Sequence, residues 1–579
     1  MREIAARVFP MRRHLPLAAA VLLAGCHSAE YELYLEQQEK FASNGSDSSG
    51  DAEPTTAADT AASTGAIGSE SAGVSATDTA DSTDTAPPSD TGSATDTADA
   101  TDTGDNPPVG EPEKPTILAI DLPENVYSAG PVALTVHTDG TASVRVTLDG
   151  ADAGELIAAG GGLFTGEVPV RGAIDNGSHA IEVIATQGEY EDRRPDGYNV
   201  KTPAPGTEAW SKAGPAGSRT NRVATTPARD LIEVGQTLID GVPRPTIRLR
   251  SSVTGAELWP EGTIILDTRE GAVVDVAVLA DGRMWVAMNV REGKMDPGPR
   301  LALLDADGHA TGIEAEGAAG RVVRAIAADA EGGCFAVGLA VVLGDWDVAY
   351  WRVTATGEQT LGDAYDFIPT LDDLPHKFMD LANDVLIDGD VVWVIGASTG
   401  KHDAKDDPRT RGMIARLDLH TGEPIAPTII APKDGDWSES IFFGAALHSE
   451  GVVVTGYGRN PVSSLYRIET SRYTAAGALL WHRRETWNTG LAYGNDVVLD
   501  SQGRALVAGA VTQNGKLRGY VFGRTVDDDN GDILLEHWFP GVGPSEGLGI
   551  VRDFFDRIFP VGYVTSSGTT QARILRVHG

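Results

Sequence analysis

From residue 115 onward, apolar and polar positions alternate in short runs broken by Gly, Asp and Asn. Val144, Val146 and Leu148 alternate with Arg145 and Thr147, and Ile181, Val183 and Ala185 with Glu182 and Ile184, the second set less cleanly. A period of two places successive side chains on opposite faces of a strand. The dipeptides Asp149-Gly150 and Asn176-Gly177 fall at strand boundaries and predict turns. Several such strands within about 90 residues predict a β-sandwich over 115–203.

From 204 the pattern becomes a repeat. GNDVVLDSQGRALVAGAVTQ with LRGYVFGRTVDDDNGDILLEHW aligns with AVVDVAVLADGRMWVAMNV and GPRLALLDADG. It also aligns with RVVRAIAADAEGGCFAVGLAVV and DVAYWRVTATG, with LANDVLIDGDVVWVIGAST and RGMIARLDLHTG, and with FFGAALHSEGVVVTGYG and SLYRIETSRYTAAGALLW. Each unit reads strand, Asp/Gly turn, strand ending near Gly, loop, strand, turn, short fourth strand. Four strands in a unit of about 50 residues predict a propeller blade. Residues 222–259 supply a divergent unit ending VTGAELW; 547–579 supply a last one that lacks a fourth strand. Gly206-x-x-x-Trp210 matches Gly255-x-x-x-Trp259 and Gly477-x-x-x-Trp481, which read as turn plus fourth strand. Residues 205–213 are therefore expected to complete the blade begun at 547–579. That closes a seven-bladed propeller over 204–579 and leaves no open sheet edge. The three Trp are expected to pack blades rather than stack on a ligand.

The other end of the chain is different in kind. Arg2, Arg7, Arg12 and Arg13 precede Leu15–Ala24, an apolar run too short to span a bilayer. Residues 1–26 thus read as a signal peptide, ending Leu23-Ala24-Gly25-Cys26. After it, TDTADSTDT and ATDTADATDTGD recur without apolar periodicity. Such a stretch cannot bury enough apolar surface to offset the entropy of ordering, so 27–114 is expected to be a disordered acidic tether, apart from a short helix over 29–42. The expected fold class is all-β: tether, Ig-like sandwich, propeller.

Charge follows this division. The chain carries 46 Lys and Arg against 83 Asp and Glu, a net -37. Residues 27–112 hold 18 acidic residues and one basic, Lys40, so they account for -17 of it. A charge of this sign argues against nucleic acid as a partner. The 2 cysteines, Cys26 and Cys334, allow neither a disulfide framework nor a thiolate metal cluster.

Three resemblances add to this. Leu23-Ala24-Gly25-Cys26 resembles the lipobox of bacterial lipoproteins. That implies a diacylglyceryl group on the Cys26 thiol, cleavage before Cys26 and acylation of the new amino group. At about 0.8 kcal/mol per buried CH₂, several chains anchor stably. His27 stands where an Asp would imply retention in the inner membrane, so the resemblance implies the outer membrane. The stretch NGSHAIEVIATQGEYED is similar to the late strands of bacterial Ig-like domains, which implies a spacer. The repeat resembles bacterial surface β-propeller repeats. A WD40 propeller is disfavoured, because Trp346-Asp347 is expected in a loop, and no sialidase-type Asp turn is present. Thr254-Gly255 and Trp259 match half of the quinoprotein motif, but Leu249 and Ser251 replace its Ala and Asp. Thr421-Gly422 has Asp418, but Arg416 and Ala426 replace its Ala and Trp.

Candidate chemistry is sparse. Asp527-Asp528-Asp529-Asn530-Gly531-Asp532 fails the calcium-loop register, because with Gly531 at position 6 the first ligand position holds Val526. His402-Asp403 and Lys405-Asp406-Asp407 read as exposed loop charge. Asn383-Asp384 and Asn495-Asp496 occupy equivalent first-strand positions, where they could line the channel; fixing a turn or a neighbouring backbone group is the plainer reading. Cys334 reads as a buried thiol. No catalytic residue, cofactor or metal ligand is assigned, and Cys26 is the one site residue, the lipid anchor. The expected function is a monomeric, lipid-anchored envelope protein presenting a non-catalytic propeller to a protein or glycan. The alternatives are a quinoprotein-like or lyase/hydrolase propeller enzyme and a structural component of outer-membrane assembly.

Overall fold

The computed structural model describes residues 114–579 except 140–142, 172–174, 343–344, 366–379, 401–408, 433–438, 461–462, 464, 486–489, 526–532 and 542. Residues 1–26, expected as a signal peptide ending in Cys26, and the acidic segment lie outside the described residues. So do His402-Asp403, Lys405-Asp406-Asp407 and the run Asp527 to Asp532.

Residues 116–200 form two facing sheets. One orders strands Thr116–Asp121, Gly130–Asp139, Leu163–Val170 and Ile157–Gly160; the other orders Asn125–Val126, Tyr190–Val200, Gly177–Gln187, Ser143–Leu148 and Ala151–Glu155. The period-two residues point inward, with Val144, Val146, Ile181, Val183 and Ala185 all buried in the core between the sheets. Asp149 and Gly150 both take positive φ (50° and 83°), the geometry of a two-residue hairpin turn.

Among the described residues the rest of the chain forms seven four-stranded antiparallel sheets. Their first strands are Ser218–Thr225, Glu270–Val278, Arg321–Ala328, Asp380–Asp388, Glu439–His448, Ala492–Leu499 and Ser545–Arg552, which define blades 1 to 7. Each first strand packs on that of the next blade, and blade 7 returns to blade 1, closing a ring. The apolar core sits between blades. Trp285 of blade 2 packs with Val323, Ala336 and Trp351 of blade 3, and Val223 and Leu231 of blade 1 with Phe559, Val561 and Ile574 of blade 7.

Blade 7 takes its outer strand from the other end of the domain. Glu208–Ala216 pairs antiparallel with Thr569–Val577, Glu208 opposite Val577 and Trp210 opposite Arg576. Trp210 reaches the core between blades 7 and 1, its ring 6.1 Å from Phe559. Trp481 likewise lies in a fourth strand, Leu479–Arg484, opposite Arg472. The third match differs. Gly255 and Trp259 precede the fourth strand of blade 1, Thr263–Ile265, and Trp259 packs back into the core between blades 1 and 2. An irregular turn, bridged only by Arg250 and Glu257, takes the place of a longer strand there. Blade 1 also starts at Ser218, before the expected 222. Trp346-Asp347 is not in a loop: both residues belong to the third strand of blade 3, Asp345–Val353.

Three of the turns joining first and second strands, in blades 3, 6 and 7, share one design. The carboxylates of Asp329, Asp500 and Asp553 accept the N–H groups two and four residues on, at 2.7–3.0 Å. The fourth turn residue takes a left-handed φ, which Gly adopts without strain: 88° at Gly332 and 75° at Gly503. Arg229 (68°) and Asp556 (53°) stand at that position in blades 1 and 7. Asp556 holds blade 6, accepting Ser501 N–H at 2.9 Å and the Ser501 hydroxyl.

Candidate functional site in the central channel

Every first strand carries a one-residue bulge at the same register. The skipped residues are Asn221, Val274, Arg324, Asn383, Phe443, Asn495 and Leu548. In six blades the second-strand residue opposite the start of the bulge is Gly, and a methyl there would overlap a first-strand carbonyl oxygen. These are Gly235, Gly338, Gly396, Gly456, Gly509 and Gly562; Met288 takes the place in blade 2. In those six blades the missing side chain leaves room for the bulged inner strand, while blade 2 bulges with Met288 in that place.

The residue after each bulge follows a rule. Blades 2, 4 and 6 hold Asp275, Asp384 and Asp496, and blades 3, 5 and 7 hold Ala325, Gly444 and Gly549. Each Asp accepts two backbone N–H groups, its own strand's next residue and one from the first strand of the following blade. Asp275 takes Val276 and Ile326, both at 2.8 Å. Asp384 takes Val385 at 2.9 Å and Ala445 at 2.7 Å, and Asp496 takes Val497 and Ile550, both at 2.9 Å. The small residue on the receiving blade makes room for the blade after it: a Cβ on Gly444 would come 2.6 Å from Asp496 Cα and 2.8 Å from Asn495 O of blade 6.

The bulge residues add a second set of ties. The side-chain amides of Asn221, Asn383 and Asn495 donate to Val273 O, Phe442 O and Gly547 O on the next blade, at 2.6–2.7 Å. Arg324 donates to Asn383 Oδ1 at 2.7 Å. Blade 1 holds Arg222 after its bulge, and Arg222 donates back to Leu548 O of blade 7.

Electrostatics follow from burial. Asp275 is pushed up to about 6, chiefly by burial, with Arg222 and the two N–H groups opposing. Asp384 is pushed up to about 8, by burial first, then by the charge of Asp496, against the pull of Arg222. Asp496 is also raised by burial, again opposed by Arg222. The three carboxylates therefore compete for one nearby guanidinium.

One position before the bulges lies a further buried group. Glu546 accepts Tyr493 Oη–H at 3.0 Å, Tyr563 Oη–H at 2.8 Å and Asn495 Nδ2–H at 3.1 Å. Arg219 lies over the Tyr563 ring at 4.8 Å. Burial raises the Glu546 carboxyl, and Arg219 and the three donors oppose it. Burial also raises Tyr493, while the charge of Glu546, ahead of burial, raises Tyr563.

Of the residues singled out in the sequence, Asn383-Asp384 and Asn495-Asp496 meet at this channel, where each fixes a backbone group of the neighbouring blade. Cys334 is fully buried, and burial raises its thiol far above its ordinary value. Asp275, Arg222 and Glu546 were not singled out. Asp275 follows Val274 rather than Asn, and Arg222 carries the opposite charge, so only the bulge register relates them to the Asn-Asp pairs. A self-alignment pinned on the second-strand glycines reaches Arg222 through Gly235, but not Asp275, whose blade holds Met288 at that position.

No protein-family model matches the chain, and no curated protein matches it. Among solved structures, the periplasmic gluconolactonase PpgL of Pseudomonas aeruginosa is 13% identical over 60% of this chain and 95% of that one, with a TM-score of 0.37. The β-propeller domain of the Trilobed protease from Pyrococcus furiosus is 10% identical over 64% of this chain and 94% of that one, at 0.38. Drosophila Semaphorin 1a, extracellular domains 1-2, is 12% identical over 63% and 88%, at 0.40. At these scores the likeness carries no argument about activity, and the propeller stands on its own sheet topology.

Proposed function

We propose that this chain is a lipid-anchored envelope protein, held through Cys26 at the outer membrane, whose propeller is a non-catalytic binding module for a protein or glycan. The observation that supports the reading is how the channel spends its polar groups. Asp275, Asp384 and Asp496 each give both carboxylate oxygens to backbone N–H groups, and the bulge asparagines hold the next blade. Groups so engaged hold a ring together, which leaves recognition to the connections between strands. Three of these, 366–379, 401–408 and 433–438, join strand ends that antiparallel alternation places on one side of blades 3 to 5.

The test is purification of the native lipoprotein from membranes. A partner in molar ratio, lost when 401–408 is replaced by a short Gly-Ser turn and retained by an otherwise equally stable wild-type protein, supports the reading. A tightly retained redox cofactor in molar ratio overturns it. One observation favours the second reading, an enzyme. Glu546 is a buried carboxyl held by two tyrosine hydroxyls beside an arginine, the setting in which perturbed groups serve catalysis. A turnover abolished by Glu546→Gln with an unchanged melting temperature would establish it.

A further inference from the structure

We infer that the sandwich is clamped to the turn side of the propeller as a fixed arm, so that the two domains move as one body. The connection between them leaves little free chain. On the sandwich side, Thr202 is buried and held by Asn176 on three counts. Thr202 N–H donates to Asn176 Oδ1 at 2.7 Å, its hydroxyl donates to the same oxygen at 3.0 Å, and Asn176 Nδ2 donates to Thr202 O at 3.1 Å. On the propeller side, Gly206 N–H donates to His578 O at 2.9 Å and His578 N–H to Thr207 O at 3.0 Å. Only Pro203, Ala204 and Pro205 lie between these clamps. Two prolines in three residues make a stiff spacer.

A second set of contacts bypasses the connection. Arg576, itself buried in blade 7, donates Nη2–H to Ala129 O of the sandwich at 3.0 Å in a buried bond. Arg557 Nη1 comes within 3.7 Å of where a Cβ on Gly130 would sit. Arg229 Nη1 meets Glu167 Oε2 at 3.3 Å, and its guanidinium lies 4.9 Å from the Phe555 ring centroid. Arg229 is also the residue that stands, at φ 68°, where Gly332 and Gly503 stand in the turns of other blades. A non-glycine residue in that conformation is strained. Here the side chain so placed is the one that reaches the sandwich.

The arm has a direction. Thr116 pairs with Asp139 and so lies at the opposite end of the sandwich from Gly130, which faces the propeller. The segment preceding residue 114 therefore joins the end of the arm remote from the propeller. The connections 366–379, 401–408 and 433–438 start from strand ends on the side of the ring opposite the turns.

The experiment does not use the lipid, so it stands whether or not Cys26 is an anchor. In the Cys26→Ser chain, spin labels are placed at Glu189→Cys in the sandwich and Asp307→Cys in blade 2; buried Cys334 does not label. A single narrow distance distribution is expected, lost on Asn176→Ala and on the double variant Arg229→Gly with Glu167→Ala. Because Arg229→Gly relieves the left-handed strain, the propeller of that variant should melt no lower than wild type, which separates loss of docking from loss of folding. A broad distribution in the unmutated pair, or one unchanged in both variants, would overturn the fixed arm.

Discussion

Replacing Asp384 by Asn asks whether the channel holds a proton at neutral pH. Burial and the charges of Asp496 and Asp275 push Asp384 to about 8, against an ordinary 3.8. Its folded value stands above its unfolded one, so the folded state holds the proton more tightly. Stability from this group is therefore full below about pH 4 and is lost as pH rises toward about 8. Each unit inside that window is worth about 1.4 kcal/mol, so the step from pH 5 to pH 8 removes about 4 kcal/mol from the wild type. For a propeller of this length, at about 2.1 cal/mol/K per residue, that is a shift of about 5 °C in melting temperature. Asn keeps one acceptor oxygen for Val385 or Ala445 and turns its NH₂ toward the other N–H, a pH-independent loss of about 1–3 kcal/mol. The variant should melt below wild type at pH 5 and at or above it at pH 8. Thermal unfolding of both proteins from pH 5 to 8 reads this as a difference between curves, in which groups common to both cancel. Parallel curves would refute the reasoning and mean that the two N–H bonds keep Asp384 ionised in spite of its burial.

Other outcomes follow from the same geometry. A chain starting at Ser218 lacks the strand that pairs with Thr569–Val577; it should aggregate or melt several degrees below one starting at 204, and equal melting would mean the ring does not depend on that closure. Gly444→Ala meets backbone at 2.6 and 2.8 Å and should cost about 1–3 kcal/mol, whereas Gly549→Ala meets its nearest atoms at 3.2 Å and should cost less; denaturant midpoints in the reverse order would show that blade 6 yields. Cys26→Ser should abolish labelling by a radioactive fatty acid and release the protein from membranes, and continued labelling of the variant would refute the lipid anchor.

The all-β class was legible because a strand with one buried face writes its period into the sequence, and because Asp and Gly mark the turns. The seven-sheet ring was legible for the same reason, since each unit repeats the same order of strand, turn and glycine. The expectation of a fourth strand fails at Gly255 and Trp259. A Gly followed at four residues by Trp fits both a turn-strand pair and an irregular turn whose Trp folds back into the core, and local spacing does not distinguish them. Trp346-Asp347 reads as loop in the sequence, yet the third strand of blade 3 begins at Asp345. The channel was legible only in half. The Asn-Asp pairs stood out as repeated dipeptides, but Arg222 and Asp275 share their register and not their letters. Glu546 has no periodic signal at all, since its burial depends on Tyr493 from a different blade and on Arg219 from across the closure.

The pairing rule at the channel has a consequence of parity. A carboxylate on one blade and a small residue on the next tile a ring two blades at a time: 2 with 3, 4 with 5, 6 with 7. Seven is odd, so one blade is left over, and a fourth carboxylate there would find the N–H of Val276, already bonded to Asp275 of a blade committed as a donor of charge. Blade 1 is the remainder, and it carries Arg222, the one cation of this circle, facing its three carboxyl groups. The mismatch imposed by counting is thus the place where the ring sets its one opposing charge. A ring built by this rule could gain or lose blades only in twos, keeping its number odd and its one unpaired blade basic.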